Sequence, residues 1–170
     1  MVARVDLATG APVRDEAGLV VRAPIDEPGV LLARVDDEVV PGGAVRDVVA
    51  QGDRWRASSD VLRVDADGDL WFVDALSGFV HTREGAVSTR RVEDALYALP
   101  EVERAAAWGE GAAGEAAVRA AVAPAGVSEA RIAEGRAALA ERERPASVER
   151  VASIPMTEGF RPDKRALRAG

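Results

Sequence analysis

Between residues 60 and 100 the chain changes its hydrophobic period, and that change constrains the fold more than any other feature. In DVLRVDADGDLWFVDA, residues 60–75, apolar side chains recur on both sides of Asp67-Gly68. DVLRV and DLWFV have the composition of strands, and an Asp-Gly pair tolerates the positive φ of a tight turn. The segment is therefore expected to be a β-hairpin. From residue 88 the spacing lengthens. Val92, Leu96 and Leu99 stand at i, i+4 and i+7, Ser88 or Thr89 can cap, and Pro100 follows the last apolar position. This pattern predicts a helix through TRRVEDALYAL.

Upstream of the hairpin the signals are those of short strands. VARVD at 2–6, GLVVRAP at 18–24 and EPGVLLARVD at 27–36 are apolar segments broken by Gly and Pro, and Pro41-Gly42-Gly43 breaks the chain again. AVRDVVAQ at 44–51 is expected to form one or two turns of helix. Downstream, VERAAAWG (102–109) and EAAVRAAVAP (115–124) read as two strands, although their alanines also permit helix. Ser128 caps a helix expected over 129–142, with Ile132 and Leu139 seven apart. VERVASI (148–154) reads as a strand ended by Pro155, and 163–168 as a last helical turn. The fold class is α+β: a small antiparallel β-subdomain over 1–74, then an α+β domain over 75–170 with helices packed on a small sheet.

Composition sets limits on function. The chain has 170 residues, 48% of them apolar, but only three Trp, three Phe and one Tyr. Val, Leu and Ala must fill the core, so each residue buries little area, at roughly 25 cal/mol per Å². Modest stability is expected for the chain alone. A net charge of −7 argues against a general nucleic-acid binder, which needs a basic face. The last ten residues, RPDKRALRAG, are basic against that background. Without cysteine there is no disulfide, thiolate site or cysteine nucleophile, and a single histidine, His81, makes a zinc site of the usual kind untenable. No nucleophile-elbow pattern accompanies His81, which reads as a surface residue. No signal peptide and no run of about 20 apolar residues is present, so the chain is expected to be cytoplasmic and soluble.

Three segments carry a resemblance in combination. GDRWRASSDVLRVDADGDLWFVD resembles a stretch in which an aromatic and Thr-Gly-Asp precede a D-x-x-G hairpin. GAVSTRRVEDALYALPEV resembles a Gly-Glu-Asn-Val-Ser-Thr helix start followed by Val-Glu-x-x-Leu. IPMTEGFRPDKRALR resembles a Thr-Gly-Thr-Phe-Lys tail. Together, in this order and at this spacing, they resemble the C-terminal third of acyl-CoA synthetases of the adenylate-forming superfamily, above all the fatty-acid-transport-protein or very-long-chain branch. The resemblance implies that residues 1–60 are the last β-subdomain of a large N-terminal domain. It implies a hinge at the hairpin's end and a mobile lid domain from about residue 75.

It also implies a chemistry. In such enzymes ATP and Mg²⁺ adenylate a carboxylate, the lid rotates, and the thiol of CoA attacks the acyl-adenylate. Carried over position by position, the ribose-binding aspartate is Asp60, with Ser58-Ser59 in place of Thr-Gly. The arginine expected after Asp74 is Ala75. The hinge aspartate is Ser77, followed by Gly78. Arg83 occupies the basic position of a Lys/Arg-Gly-Glu turn whose last two residues are inverted here to Glu84-Gly85. The tail lysine is Arg161, with Lys164 three residues later. Arginine keeps the charge and binds phosphate, but its planar fork is not a point donor. No Ser/Thr/Gly-rich phosphate loop ending in Lys occurs in the 170 residues. The candidate site residues are thus Lys164 and Arg161 for catalysis and Asp60 and Arg83 for nucleotide, with no metal ligand. No cofactor is expected for the chain alone, while ATP, Mg²⁺ and CoA are implied by the family.

Three functions remain open on the sequence. The chain is a degenerate, non-catalytic binding or assembly module; or the C-terminal part of a working fatty-acyl-CoA synthetase whose N-terminal half is upstream or separate; or a free-standing module for acyl-adenylate, CoA or nucleotide. A homodimer or partner chain is expected to cover the β-subdomain, because apolar residues such as Val30, Leu31 and Leu32 would otherwise face solvent.

Overall fold

The computed structural model describes residues 1–35 and 44–168; the Pro41-Gly42-Gly43 break and the end of the 27–36 segment lie outside them. Two compact units divide the chain, residues 1–77 and 78–170. Among the described residues no helix is long and apolar enough to cross a membrane.

The first unit is an antiparallel sheet of β1 (Val2–Arg4), β2 (Gly29–Arg34), β3 (Val45–Arg46), β4 (Arg54–Val64) and β5 (Leu70–Ala75), in the order β1-β2-β4-β3 with β5 also on β4. The long β4 carries β2 on one edge and β3 and β5 at opposite ends of the other. Ala3, Val20, Val30, Leu32 and Val48 form its core. Gly29 is required where β1 and β2 meet, since a Cβ there would lie 2.3 Å from the Ala3 carbonyl oxygen. The exposure expected of residues 30–32 is therefore corrected. Val30 and Leu32 are 1% exposed inside their own unit, and only Leu31 is half-buried. Strand alternation turns one face inward even in a small sheet.

The β4–β5 hairpin forms as expected, with Gly68 at φ 89°. Its loop is organised by Asp65. That carboxylate accepts the N–H groups of Asp67 (3.0 Å) and Asp69 (2.9 Å) and the Trp71 indole N–H (2.7 Å). The 18–24 segment makes only isolated bridges, Arg14 to Val20 and Ala3 to Arg22, rather than a strand. The helix expected over 44–51 does not form. Residues 45–46 are β3, and the chain then bends with Asp47 at φ 55°. Asp53 supplies the physical reason. Its two carboxylate oxygens accept N–H groups from Val48 (2.7 Å), Val49 (3.0 Å) and Ala50 (3.1 Å), and the Trp55 indole N–H (2.9 Å). A local carboxylate out-competes the i−4 carbonyls for those donors.

The second unit opens with a hairpin that the sequence reading missed, β6 (Phe79–Thr82) with β7 (Gly85–Ser88). α1 (Thr89–Tyr97) follows, and Ser88 rather than Thr89 is its N-cap, accepting the Arg91 N–H. β8 (Arg104–Glu110) and β9 (Ala117–Ala123) are antiparallel, and β10 (Ser147–Arg150) adds parallel to β9. α2 (Glu129–Ala137) is shorter than the expected 129–142; residues 141–143 form a separate 3₁₀ turn. α3 (Lys164–Arg168) closes the chain. The alanine-rich segments are strands because both their faces are covered. Ala105, Ala107, Val118, Ala120 and Val122 pack with Val92, Leu96 and Leu99 of the α1 segment and with Ile132 and Leu139 of the α2 segment. Ala106, Trp108, Ala121 and Ala123 pack on the other face with Ile154 and Leu167. The fold class is the expected α+β, helices on a small sheet.

Burial pulls the Asp53 carboxyl upward, but the N–H donors of Val48, Trp55, Val49 and Ala50 outweigh it and hold the group at about 2, against an ordinary 3.8. A folded value below the unfolded one means stability that is present above pH 4 and lost as pH falls towards 2. Asp53→Asn is expected to lower the melting temperature near pH 7 and to flatten its fall between pH 4 and pH 2. Thermal unfolding followed by circular dichroism across that range measures both.

Candidate functional site

In the first unit Asp60 lies in the middle of β4, paired with Ala75 next to a bulge at Val61/Leu62. Its backbone N–H is bonded to Ser58 Oγ (3.1 Å), and the same hydroxyl is 3.1 Å from the Asp60 carbonyl oxygen. The Asp60 carboxylate is exposed and has no partner among the described residues. It borders an open groove of about 620 Å³ whose other walls are Leu31, Ala33, Val35, Arg56, Ser58 and Ser59. The groove offers a ribose one carboxylate and a phosphate one guanidinium. On one side of β4 the ladder to β2 skips Ser58, Ser59 and Asp60, and on the other β3 ends at Trp55 and β5 begins at Asp60, so the groove adds only the Ser58 and Ser59 hydroxyls to that carboxylate and guanidinium. Among the described residues no three His, Cys, Asp or Glu stand together as a metal site. These residues by themselves do not fit a nucleotide and its metal ion.

The remaining candidates belong to the second unit. Arg83 is exposed on the β6–β7 turn and pairs with Glu115 at 3.1 Å. Beside it opens a cavity of about 390 Å³ in which Arg83, Arg142 and Arg144 are balanced by Glu84, Glu115 and Glu141. The cancelling charges give no strong preference for an anion. His81 is on β6, opposite Ala86, and its carbonyl accepts the N–H groups of Gly114 and Ala116.

The C-terminal tail is built around two turns. Met156 and Pro162 bridge, and the Thr157 N–H reaches the Arg161 carbonyl at 2.8 Å, closing a loop whose tip is Glu158-Gly159-Phe160. Phe160 has φ 57° and is 88% exposed. A non-glycine residue in that region costs of order 1 kcal/mol, so the surrounding bonds must hold it there. Asp163 then caps α3, accepting the N–H groups of Arg165 and Ala166. Arg161 projects at the foot of the loop, exposed, and its guanidinium has no partner among the described residues. Lys164 is different. Its Nζ is 2.7 Å from Glu93 Oε1 and 2.9 Å from Thr89 Oγ1, and its side chain is 31% exposed.

The structure therefore separates the two candidate cations of the tail. It brings Lys164 together with Thr89 and Glu93 of α1, residues the sequence reading did not single out. A signal for them was present: Thr89 and Glu93 are one helical turn apart, directly beside the buried Val92–Leu96 stripe. Glu93 Oε1 also accepts the Ala107 N–H at 2.8 Å.

No family model matches the chain. Among characterised proteins it is 30% identical over 122 residues to a very long-chain fatty acid transport protein of Cochliobolus heterostrophus, covering 64% of the chain and 19% of that protein. It is 35% identical over 114 residues to the medium/long-chain-fatty-acid–CoA ligase FadD6 of Mycobacterium tuberculosis, covering 61% of the chain and again 19% of the relative. Among solved structures it superposes on the amide bond synthetase McbA from Marinactinospora thermotolerans with a TM-score of 0.65 and 30% identity. That match covers 93% of the chain and 34% of the synthetase. The chain thus spans about a fifth of the length of these relatives and a third of that structure.

Because the Asp60 carboxylate touches nothing in its unit, Asp60→Asn is expected to change unfolding free energy by less than about 0.5 kcal/mol. Urea denaturation measures it, and a larger loss assigns the carboxylate a structural bond.

Proposed function

We propose, for a chain that resembles the C-terminal third of an adenylate-forming acyl-CoA synthetase, that these 170 residues act as a non-catalytic binding or assembly module and do not adenylate a carboxylate by themselves. One observation carries this reading: neither tail cation is a free lysine. Lys164 is held by Glu93 and Thr89, and the position matched to the family's lysine is Arg161. Replacing a point donor by a planar fork is not a conservative change where oxygen atoms must be met in one geometry. The loss of the other expected contacts agrees with it, with Ser58-Ser59, Ala75 and Ser77 standing where Thr-Gly, Arg and Asp are expected.

A second reading has support in the 35% identity to a fatty-acid–CoA ligase. The chain would then be the C-terminal part of a fatty-acyl-CoA synthetase and would work with an upstream or separate N-terminal half. ATP, Mg²⁺ and CoA would be bound mainly by that half, and Arg161 would be the tail's contribution to the charge of the site.

The test is pyrophosphate release by the purified chain with ATP, Mg²⁺, palmitate and CoA. No release above the protein-free blank is expected, and release would overturn the proposal. If a separately produced N-terminal half restores turnover, and Arg161→Ala then lowers it tenfold or more, the second reading stands instead.

Association is the other part of the proposal. With Val30 and Leu32 satisfied internally, the exposed large apolar residues of the β-rich unit, among the described residues, are Ile25 and Val49 singly and Leu70, Trp71 and Phe72 in succession on β5, the last three 55%, 51% and 46% exposed. A flat apolar edge strand favours pairing with another chain. Light scattering is expected to give a mass that rises above the monomer with concentration, and Leu70→Lys is expected to suppress the rise. A monomer throughout would count against it.

A further inference from the structure

Of the 22 Lys and Arg residues in the chain, one is lysine, and that lysine is Lys164. It stands where three elements converge. Glu93, on α1, accepts the Ala107 N–H with Oε1, and Ala107 belongs to β8, the edge strand of the β10-β9-β8 sheet. The same oxygen accepts from Lys164 Nζ at 2.7 Å, and Thr89 Oγ1, one turn back on α1, accepts from that Nζ at 2.9 Å. Thr89 is 4% exposed and the Glu93 side chain 20%. Two acceptors converging on one point suit an ammonium with three rotatable donors, and a planar guanidinium would need them side by side.

The tail has other attachments, but each is local or apolar. Leu167 packs with Trp108 and Ile154 on the sheet face away from α1. The Asp163 N–H reaches the Pro155 carbonyl at 2.7 Å, at the root of the tail, and the other polar tie across among the described residues, Arg104 Nη1 to the Met156 sulfur, is 3.9 Å long. Leu167 carries no direction, because apolar contact is not oriented. The ammonium fixes where along α1 the tail sits.

We propose that Glu93 and Thr89 clasp Lys164 and so hold the tail, residues 156–168, on the α/β unit. Lys164 is a positioning residue, and Arg161, three residues earlier, is exposed to solvent, as are Arg165 and Arg168. The clasp does not depend on the functional reading above, since it requires no nucleotide and no acyl ligand. Its carboxylate also covers an edge N–H, so Glu93 serves the sheet and the tail with one oxygen.

A single lysine makes the clasp directly readable. The intact chain is treated with limiting N-hydroxysuccinimidyl acetate, and acetylation of Lys164 is followed by peptide mass spectrometry, with the Met1 amine resolved separately. Native Lys164 is expected to react at least tenfold more slowly than in urea-unfolded chain, and Glu93→Gln, which keeps an acceptor for Ala107, to raise the native rate at least fivefold. Hydrogen–deuterium exchange of residues 156–168 is expected to quicken at least fivefold in Lys164→Met, while exchange in β9 stays unchanged. Native acetylation at the unfolded rate, or unaltered tail exchange in Lys164→Met with its circular dichroism intact, overturns the clasp.

Discussion

Strands β8 and β9 are paired over seven residue pairs, and most of their side chains are alanine or valine. The α+β unit depends on that pairing being covered on both faces. Ala105, Ala106 and Ala107 are 8%, 0% and 0% exposed, so successive residues are buried on opposite sides of one strand. Small side chains let α1 and α2 close on one face and the tail on the other. They contribute little area each, and the larger apolar residues arrive from the covering layers: Leu96, Leu99, Ile132 and Leu139 on one side, Ile154 and Leu167 on the other. Each of these is worth roughly 1.5–3 kcal/mol when fully buried. The sheet is a platform whose stability is supplied from above and below. A tail that covers one of those faces is therefore part of the core as well as the place where chemistry is sought.

The negative charge of the chain has a local use. Asp6, Asp15, Asp53, Asp65 and Asp163 each accept backbone N–H groups of neighbouring residues. Trp71 holds the Asp65 carboxyl below its ordinary value first, and the Asp69 N–H adds to it. Side-chain oxygens that mimic a backbone turn replace the helix or ladder bonds a loop lacks. These carboxylates are engaged by the backbone beside them, which leaves them poor candidates for a ligand. Asp60 is not engaged in this way: its carboxylate is exposed on β4 and has no partner among the described residues.

Residue periodicity made the second unit largely legible. Val92, Leu96 and Leu99, the Ser88 cap, the strands at 104–110 and 117–123, and the Ser128 cap follow from pattern and capping chemistry, because packing there agrees with local preference. The first unit was less legible because its loops are decided by single carboxylates. AVRDVVAQ has a helical composition, yet Asp53, two residues past its end, takes three of its N–H groups. The β6–β7 hairpin was missed because Arg83-Glu84-Gly85 gives a weak turn signal, and Gly85 at φ 117° carries the turn. The misjudged exposure of Val30 and Leu32 has the same origin. A two-faced strand cannot be told from an unpartnered one until its neighbours are known.

The site was legible as a set of residues and illegible as a geometry. Lys164 and Arg161 are three residues apart and carry the same charge, so sequence gives no reason to part them. What parts them is a change of conformation at Pro162 and Asp163. Before it the chain is a closed loop with a strained Phe160 at its tip; after it the chain is a turn of helix laid toward α1. Arg161 faces water from the loop, and Lys164 meets Glu93 from the helix. A carboxylate and a hydroxyl beside a buried helical stripe remove the lysine from the pool of free cations. Any charge the tail offers to an anionic group then comes from arginine, whose guanidinium holds its charge at every physiological pH and binds oxygen pairs in a plane.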